Sequence, residues 1–364
     1  MNFSAFDHQC MAEAFRQARQ GLFTTDPNPR VGCVIARSGA IVGRGWHRAA
    51  GQAHAEVLAL AEAGEQAQGA TAYVTLEPCS HHGRTPPCSA ALIAAGITRV
   101  VMADKDPNPL VDGCRPLAEA GIVCESGLMS DAAQALNPGF LSRMRSGRPW
   151  VRVKMATSLD GRTALANGAS QWITGPAARS DVQHWRARSS AIMTGIGTLL
   201  ADDPRLDLRL ENSPRQPLRV ICDSRWRTPP AARTLALPGP VLIAGRQDAE
   251  PPAALKSSGA ELLPVPAKGA RLDLDALLKE LGKRGVNELQ VEAGATLCGA
   301  LLEAGLVDEI LLYQAACLLG DQARPAFVLA ALQSMDARQR LRIEDSRMLG
   351  QDLRLTLRPQ RGAA

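Results

Sequence analysis

An α/β protein of two domains is the fold class this sequence predicts, and three observations carry it. Helix-period and strand-period apolar segments alternate along the chain. Its 364 residues exceed one ordinary core, at roughly 150 residues per domain. Finally, the polar, turn-prone stretch Arg145-Ser-Gly-Arg-Pro149 interrupts the alternation. Residues 1–146 and 147–364 are the expected domains.

In the first half, an amphipathic run over Asp7–Gln20 predicts a helix. The apolar segments Val31–Ala36 and Ala40–Gly45, split by Ser38-Gly39, predict a hairpin. Helices are expected at His54–Ala63, Pro87–Ala95, Pro116–Ala120 and Asp131–Met144, with strands at Thr71–Leu76, Arg99–Ala103 and Ile122–Glu125. In the second half, strands are expected at Trp150–Met155, Ala191–Thr194, Leu218–Cys222, Val241–Ala244 and Glu288–Val291. Helices are expected there at Ala177–Ala187, Asp273–Arg284 and Thr296–Ala304. The Pro-rich stretches Pro229–Pro240 and Pro251–Pro266 read as surface loops.

Composition narrows the function. A hydrophobic fraction of 46% with 21% charged residues describes a globular chain rather than a disordered one. The formal charge of +5 suits phosphate-bearing small ligands and is too weak to argue for nucleic acid. The N-terminal segment lacks the basic flank and apolar run of a signal peptide, and no stretch reaches the ~18 apolar residues of a membrane span, so no membrane partner and a cytoplasmic location are expected. Nine cysteines, an odd number without a regular framework, point to reduced thiols.

The chemistry is concentrated in His54-Ala55-Glu56, Pro78-Cys79 and Cys88. One imidazole and two thiolates would hold a tetrahedral zinc with its fourth position open, which is the mark of a catalytic rather than a structural metal. Glu56, two residues beyond His54, is placed to carry the proton of an activated water to a ring nitrogen and a departing amine, as in zinc deaminases. Taken singly, His54 reads as a helix-start histidine and the cysteines as core residues; jointly they read as a metal site. A fourth ligand, His81 or His82, would revive a structural zinc.

The spacing between the cysteines makes the pattern specific. Thr75-Leu-Glu-Pro-Cys-Ser-His-His-Gly-Arg-Thr-Pro-Pro-Cys88, with Pro27-Asn-Pro-Arg-Val-Gly32 and Asp106-Pro-Asn-Pro109, resembles the deaminase half of the bifunctional riboflavin-pathway enzymes. Lys154-Met-Ala-Thr-Ser-Leu-Asp-Gly-Arg-Thr163, Ser170-Gln-Trp-Ile-Thr174, Ala201-Asp-Asp-Pro204 and Val291-Glu-Ala-Gly-Ala-Thr-Leu-Cys-Gly-Ala300 resemble their reductase half. The resemblance implies a cytidine-deaminase-like three-layer domain followed by a dihydrofolate-reductase-like domain.

It also implies roles. Hydrolytic deamination of a diaminopyrimidinone ribosylamine phosphate would precede NADPH reduction of its ribosyl group to ribityl, in a homo-oligomer. Asn28 would meet the substrate, with Arg84, His82, Asp106 and Asn108 as further candidates, although Asp-Pro-Asn-Pro also reads as a turn. NADPH would be held by Ala156, Trp172, Thr198, Asp202 and the segment Gly294, Ala295, Thr296, Leu297, Cys298, Gly299 and Ala300. Ser170, Arg186, Leu206, Arg209 and Glu292 would take the substrate, and Lys154 is a candidate for polarising the reacting group. Physics supports part of this: a glycine-bearing strand-to-helix turn aims backbone N–H groups at phosphate, and guanidinium suits a phosphorylated sugar.

Two rivals stay open. A deaminase acting on a nucleoside or on nucleic acid lacks the expected aromatic platforms or basic stripes. A non-catalytic binding or oligomerisation module would need the fourth zinc ligand. The cofactor's phosphate-reading residue, which would separate NADPH from NADH, is not evident in the sequence.

Overall fold

The computed structural model describes residues 3–80, 86–211, 213 and 215–360. His82 and Arg84, and with them His81, lie outside the described residues. The chain divides into two compact units, Met1–Gly147 and Arg148–Ala364.

The first unit begins with α1 (Ala5–Arg19), started by a reciprocal cap between Ser4 and Asp7. The hairpin β1 (Gly32–Arg37) and β2 (Ala40–Trp46) follows, then α2 (Ala55–Ala63), β3 (Thr71–Val74), α3 (Cys88–Ala94) and β4 (Arg99–Met102). The unit closes with α4 (Cys114–Glu119), β5 (Val123–Ser126), α5 (Ser130–Leu136) and α6 (Pro138–Ser146). One helix was expected over the last stretch; two form, because Pro138 cannot donate to the preceding turn and instead starts a new helix.

The sheet order is β2-β1-β3-β4-β5, with β1 antiparallel to both neighbours and β3, β4 and β5 parallel. Alternation along the strands sorts the core into two layers. Cys33, Ile35, Val100 and Met102 pack with Ala55, Ala59 and Leu92 on one face. Val34, Ala36, Val101 and Ala103 pack with Met11, Phe15 and Leu136 on the other. A Cβ on Gly45 would lie 2.2 Å from the carbonyl oxygen of Ala55, so this glycine lets the start of α2 rest directly on β2. That contact sets the height of His54 and Glu56.

The second unit opens with β6 (Trp150–Thr157), β7 (Arg162–Ala164), α7 (Pro176–Arg188), β8 (Ala191–Gly195), α8 (Ile196–Asp202) and β9 (Leu218–Cys222). Next come α9 (Arg233–Ala236), β10 (Val241–Arg246), α10 (Ala253–Lys256), β11 (Glu261–Val265) and the small hairpin β12 (Ala267–Lys268) and β13 (Arg271–Leu272). The chain continues through α11 (Leu274–Lys283), β14 (Glu288–Val291), α12 (Ala295–Glu303), β15 (Glu309–Gln314), β16 (Arg324–Pro325), β17 (Leu341–Leu349) and β18 (Asp352–Pro359).

Nine strands form one sheet in the order β11-β10-β9-β8-β14-β6-β15-β18-β17. From β11 to β15 the strands are parallel, and β18 and β17 add an antiparallel edge. The stretch 251–266 was expected to be loop, yet it supplies β11. Pro264 is tolerated because β11 is the sheet's edge, with a neighbour on one side only. Val151, Val153, Leu289 and Val291 pack beneath α11 and α12 through Leu277, Leu281, Cys298 and Leu301. In such a sheet, ligands bind where the carboxyl ends of parallel strands run into loops and helices.

Candidate functional site

In the first unit, His54 is the N-cap residue of α2 and Cys88 the first residue of α3, so two helix starts converge on one point. His54 makes no side-chain cap bond, which leaves its imidazole to face the cysteines. His54 Nδ1 lies 3.2 Å from Cys88 Sγ and 3.5 Å from Cys79 Sγ. The three donor atoms all lie within 4.8 Å of one another. Around a tetrahedral zinc, with Zn–S about 2.3 Å and Zn–N about 2.0 Å, such atoms stand roughly 3.5–3.8 Å apart, so the donor set fits that ion.

The Cys88 backbone N–H donates to Cys79 Sγ at 3.3 Å. The Cys88 side chain, and less strongly His54 and this backbone bond, hold the Cys79 thiol well below its ordinary range, which favours the thiolate a metal needs. Glu56 is only 3% exposed, and burial raises its carboxyl above the usual value. A carboxyl so placed holds a proton more readily than an exposed one and can return it.

Asn28 meets this cluster through a residue that sequence reasoning missed. Asn28 Nδ2 lies 3.0 Å from His47 Nε2, and the His47 ring stands edge-on to His54 with centroids 5.2 Å apart. His47 Nδ1 lies 3.2 Å from the Ala53 carbonyl oxygen, which can only accept, so the proton sits on Nδ1 and Nε2 accepts from Asn28. Burial pushes the His47 imidazole down, which favours its neutral form. Nothing in the local sequence marks His47, because its neighbours arrive through folding.

Glu77 is a second missed residue. Its carboxylate accepts from the backbone N–H groups of Asp106 at 3.3 Å and Cys114 at 3.2 Å, tying the loop after β4 to the Pro78-Cys79 corner. Asp106 accepts from the Asn108 N–H and Asn108 from the Leu110 N–H. Both side chains thus make the local turns that the Asp-Pro-Asn-Pro pattern also allowed.

In the second unit a cavity of about 1540 Å³ opens along the carboxyl ends of the parallel strands. Ala156, Ser170, Trp172, Arg186, Thr198, Asp202, Leu206, Arg209 and Glu292 all line it, as does Lys154. Residues scattered over 139 positions of sequence, from Lys154 to Glu292, are thereby gathered around one cavity.

Of the segment Gly294–Ala300, Gly294, Ala295, Thr296, Leu297 and Ala300 line the cavity. Cys298 and Gly299 do not. Cys298 is fully buried in the core and donates to the Ala293 carbonyl, while a Cβ on Gly299 would lie 2.0 Å from the Val328 carbonyl oxygen. The helix period turns these two positions inward, where they pack α12 against its neighbours.

No side chain caps α8 or α12, whose N-cap residues are Gly195 and Gly294. Their first N–H groups therefore remain for an anion, as a dinucleotide's pyrophosphate requires. The Gly294 N–H itself donates to Thr198 Oγ1 at 3.0 Å, joining the two helix starts.

Arg186, on the cavity lining, is held by an ion pair. Its Nε and Nη2 donate to the two oxygens of Glu292 at 2.7 and 2.8 Å, and its Nη1 donates to the Asp207 carbonyl at 2.6 Å. Burial alone would raise Glu292, but the Arg186 guanidinium overrides it and lowers the carboxyl to about 2. Burial pushes the Lys154 ammonium down, with Glu292 opposing. Arg209, exposed on the cavity lining, makes no side-chain hydrogen bond or ion pair among the described residues.

Comparison with known proteins fits these two sites. Residues 4–104 match the cytidine and deoxycytidylate deaminase zinc-binding region, and residues 149–355 match the RibD C-terminal domain. The chain is 48% identical to the riboflavin biosynthesis protein RibD of Escherichia coli K12, over 96% of this chain and 99% of that one. The chain belongs to the RibD family.

A second RibD, from Haemophilus influenzae, is 46% identical over 99% of both chains. Among solved structures, RibD of Acinetobacter baumannii superposes with a TM-score of 0.91 at 48% identity, covering 98% of this chain and 99% of that one. A Thermotoga maritima diaminohydroxyphosphoribosylaminopyrimidine deaminase/5-amino-6-(5-phosphoribosylamino)uracil reductase superposes at 0.87 with 29% identity, over 98% and 99%. The cytidine-deaminase-like and dihydrofolate-reductase-like folds expected for the two halves of this RibD-family chain are those of its relatives. It is a riboflavin-biosynthesis enzyme that joins a zinc-binding deaminase to a reductase.

Proposed function

We propose that this chain removes the exocyclic amine of a diaminopyrimidinone ribosylamine phosphate by hydrolysis and then reduces its ribosyl group to ribityl with NADPH. The convergence of His54, Cys79 and Cys88 around one point, with Glu56 buried beside them, carries the first half of this reading. Those three residues would hold zinc, which when bound would lower the pKa of a water toward neutrality. Glu56 takes the water's proton on a carboxylate oxygen and delivers it to the ring nitrogen and then to the leaving amine. Asn28, steadied by His47, binds the pyrimidine.

In the reductase domain, NADPH supplies the hydride when bound. Ala156, Trp172, Thr198, Asp202, Gly294–Leu297 and Ala300 hold it, on the strength of their shared cavity. Ser170, Leu206 and Arg209 take the substrate, with Arg209 on its phosphate. Arg186 contributes by fixing Glu292, and Lys154 and Glu292 present opposite charges to the reacting ribosyl end. Positioning and electrostatics, rather than a protein nucleophile, dominate such a transfer.

Nine free cysteines support a reducing, cytoplasmic setting. No described helix is long and apolar enough to cross a membrane. The unpaired edge strand β17, with Ile343 and Met348 each 62% exposed, supports a homo-oligomer joined there.

The test follows ammonia release from the diaminopyrimidinone ribosylamine phosphate without nucleotide, then loss of NADPH absorbance, beside Glu56→Ala. Ammonia first, NADPH oxidation second and no ammonia from the variant are expected. A folded, zinc-loaded protein giving neither signal overturns the proposal.

A further inference from the structure

The reductase cavity holds two opposite charges that do not pair. Lys154 on β6 and Glu292 at the end of β14 both line it, and these strands are neighbours in the sheet. The Lys154 ammonium nevertheless makes no hydrogen bond or ion pair among the described residues. In a buried site unlike charges attract strongly, so something must keep them apart. Part of the answer lies on Glu292. Its Oε1 accepts from Arg186 Nε and Gln290 Nε2, each at 2.7 Å, and its Oε2 accepts from Arg186 Nη2 at 2.8 Å. Most of the carboxylate's roughly four acceptor positions are thereby taken.

The other part lies on the opposite neighbour, β15. Lys154 pairs in register with Leu311 and Ala156 with Tyr313, so all four side chains share one sheet face and Tyr313 is the diagonal neighbour of Lys154. Lys154 Nζ stands over the Tyr313 ring, 5.9 Å from its centroid. A ring face attracts a cation at this range, and more so away from water. The ring has no freedom to turn aside. Tyr313 is fully buried, packed with Ala178 and Val182 of α7, and its hydroxyl donates to Asp181 at 2.7 Å. Asp181 also accepts from the Trp185 indole N–H at 3.2 Å and from Arg354 Nη1 at 2.9 Å, and Arg354 Nη2 donates to Asp345 at 2.8 Å. Helix α7 and strands β15, β17 and β18 thus converge on the group that fixes one aromatic ring. A hydroxyl bonded to a carboxylate is polarised, and the electron density this pushes into the ring strengthens its hold on a cation.

We infer that Tyr313 is a positioning residue of the reductase, whose ring face holds the Lys154 ammonium clear of Glu292 and leaves both charges open to the reacting end of the substrate. The inference rests on the reductase reading above, in which these two groups face the ribosyl end. Without the ring the ammonium swings to the carboxylate, and the site pairs its own charges instead of meeting those of the substrate. A tyrosine that served only to pack α7 on β15 would be indifferent to the electron content of its ring.

The test uses the full-length chain with Tyr313→Leu, with Tyr313→Phe, and with trifluorophenylalanine placed at the same position, a ring of like shape drained of electron density. Steady-state assays follow NADPH oxidation on the already deaminated substrate. Tyr313→Leu should lower kcat roughly three- to thirtyfold, the range of a cation–π contact shielded from water, with KM for NADPH unchanged. Tyr313→Phe should keep most of the wild-type kcat, and fluorination of that ring should bring it down toward the leucine variant. A crystal structure of Tyr313→Leu should show Lys154 Nζ moved onto Glu292. Equal rates for the two phenylalanine rings, or a Lys154 that keeps its place when the ring is gone, would overturn the inference. If the leucine variant does not fold, the comparison of the two rings decides alone. A wild type that oxidises no NADPH would instead sink the reductase reading, while the crystal structure would still decide whether the ring holds Lys154.

Discussion

Replacing Arg186 with methionine isolates what the Arg186–Glu292 pair does. The substitution keeps the length and apolar stem and removes three hydrogen bonds, two to Glu292 and one to the Asp207 carbonyl. Both side chains are nearly buried, at 10% and 13% exposure, so Glu292 would be left as a carboxylate with Gln290 and the weaker influence of Lys154. Breaking a buried pair in this way costs about 3–5 kcal/mol. The titration of Glu292 gives an independent figure: lowering it from 4.5 to about 2 corresponds to about 3 kcal/mol at neutral pH.

The sign follows from a folded-state value below the unfolded one. The stabilisation is complete above pH 4.5 and is lost as pH falls toward 2. The Arg186→Met variant loses this contribution at every pH, so its deficit is largest near neutrality and narrows through that acid window. Four of the five tryptophans, Trp150, Trp172, Trp185 and Trp226, lie in the second unit, so their fluorescence reports its unfolding. For a unit of this size the deficit lowers Tm by roughly 6–20 °C at pH 7. Arg186→Met/Glu292→Gln should recover part of the loss, since no buried charge then lacks a partner. A deficit under about 1 kcal/mol, or one that does not change between pH 7 and pH 3, would refute the reasoning and return Arg186 to a solvated, substrate-facing role.

Two further outcomes are expected. Cys79→Ser should remove zinc, measured by mass spectrometry of the metal content, and abolish ammonia release. NADPH oxidation on the already deaminated substrate should persist, and its loss would argue against separate sites. Gly299→Ala should destabilise the second unit by about 1–3 kcal/mol through overpacking against the Val328 carbonyl, read by denaturant unfolding. Wild-type stability would show that α12 can shift away at no cost.

The metal site was legible in the sequence because its information is local. His54 and Glu56 are two residues apart, Cys79 and Cys88 nine apart, and each helix start is set by its own short stretch. The two-layer packing of the first sheet was legible for the same reason, since successive positions such as Val34 and Ile35 must face opposite sides whatever lies beyond. Resemblance carried the reductase residues, but it could not resolve helix phase, which turns Cys298 and Gly299 into the core. Only the tertiary structure paired Arg186 with Glu292 across 106 positions, set His47 against Asn28, and laid Lys154 over the Tyr313 ring. These are contacts between segments far apart in the chain. Their partners are chosen by strand order and burial rather than by any residue's immediate neighbours, so local pattern specified the elements and the ligand types while packing decided which charges meet.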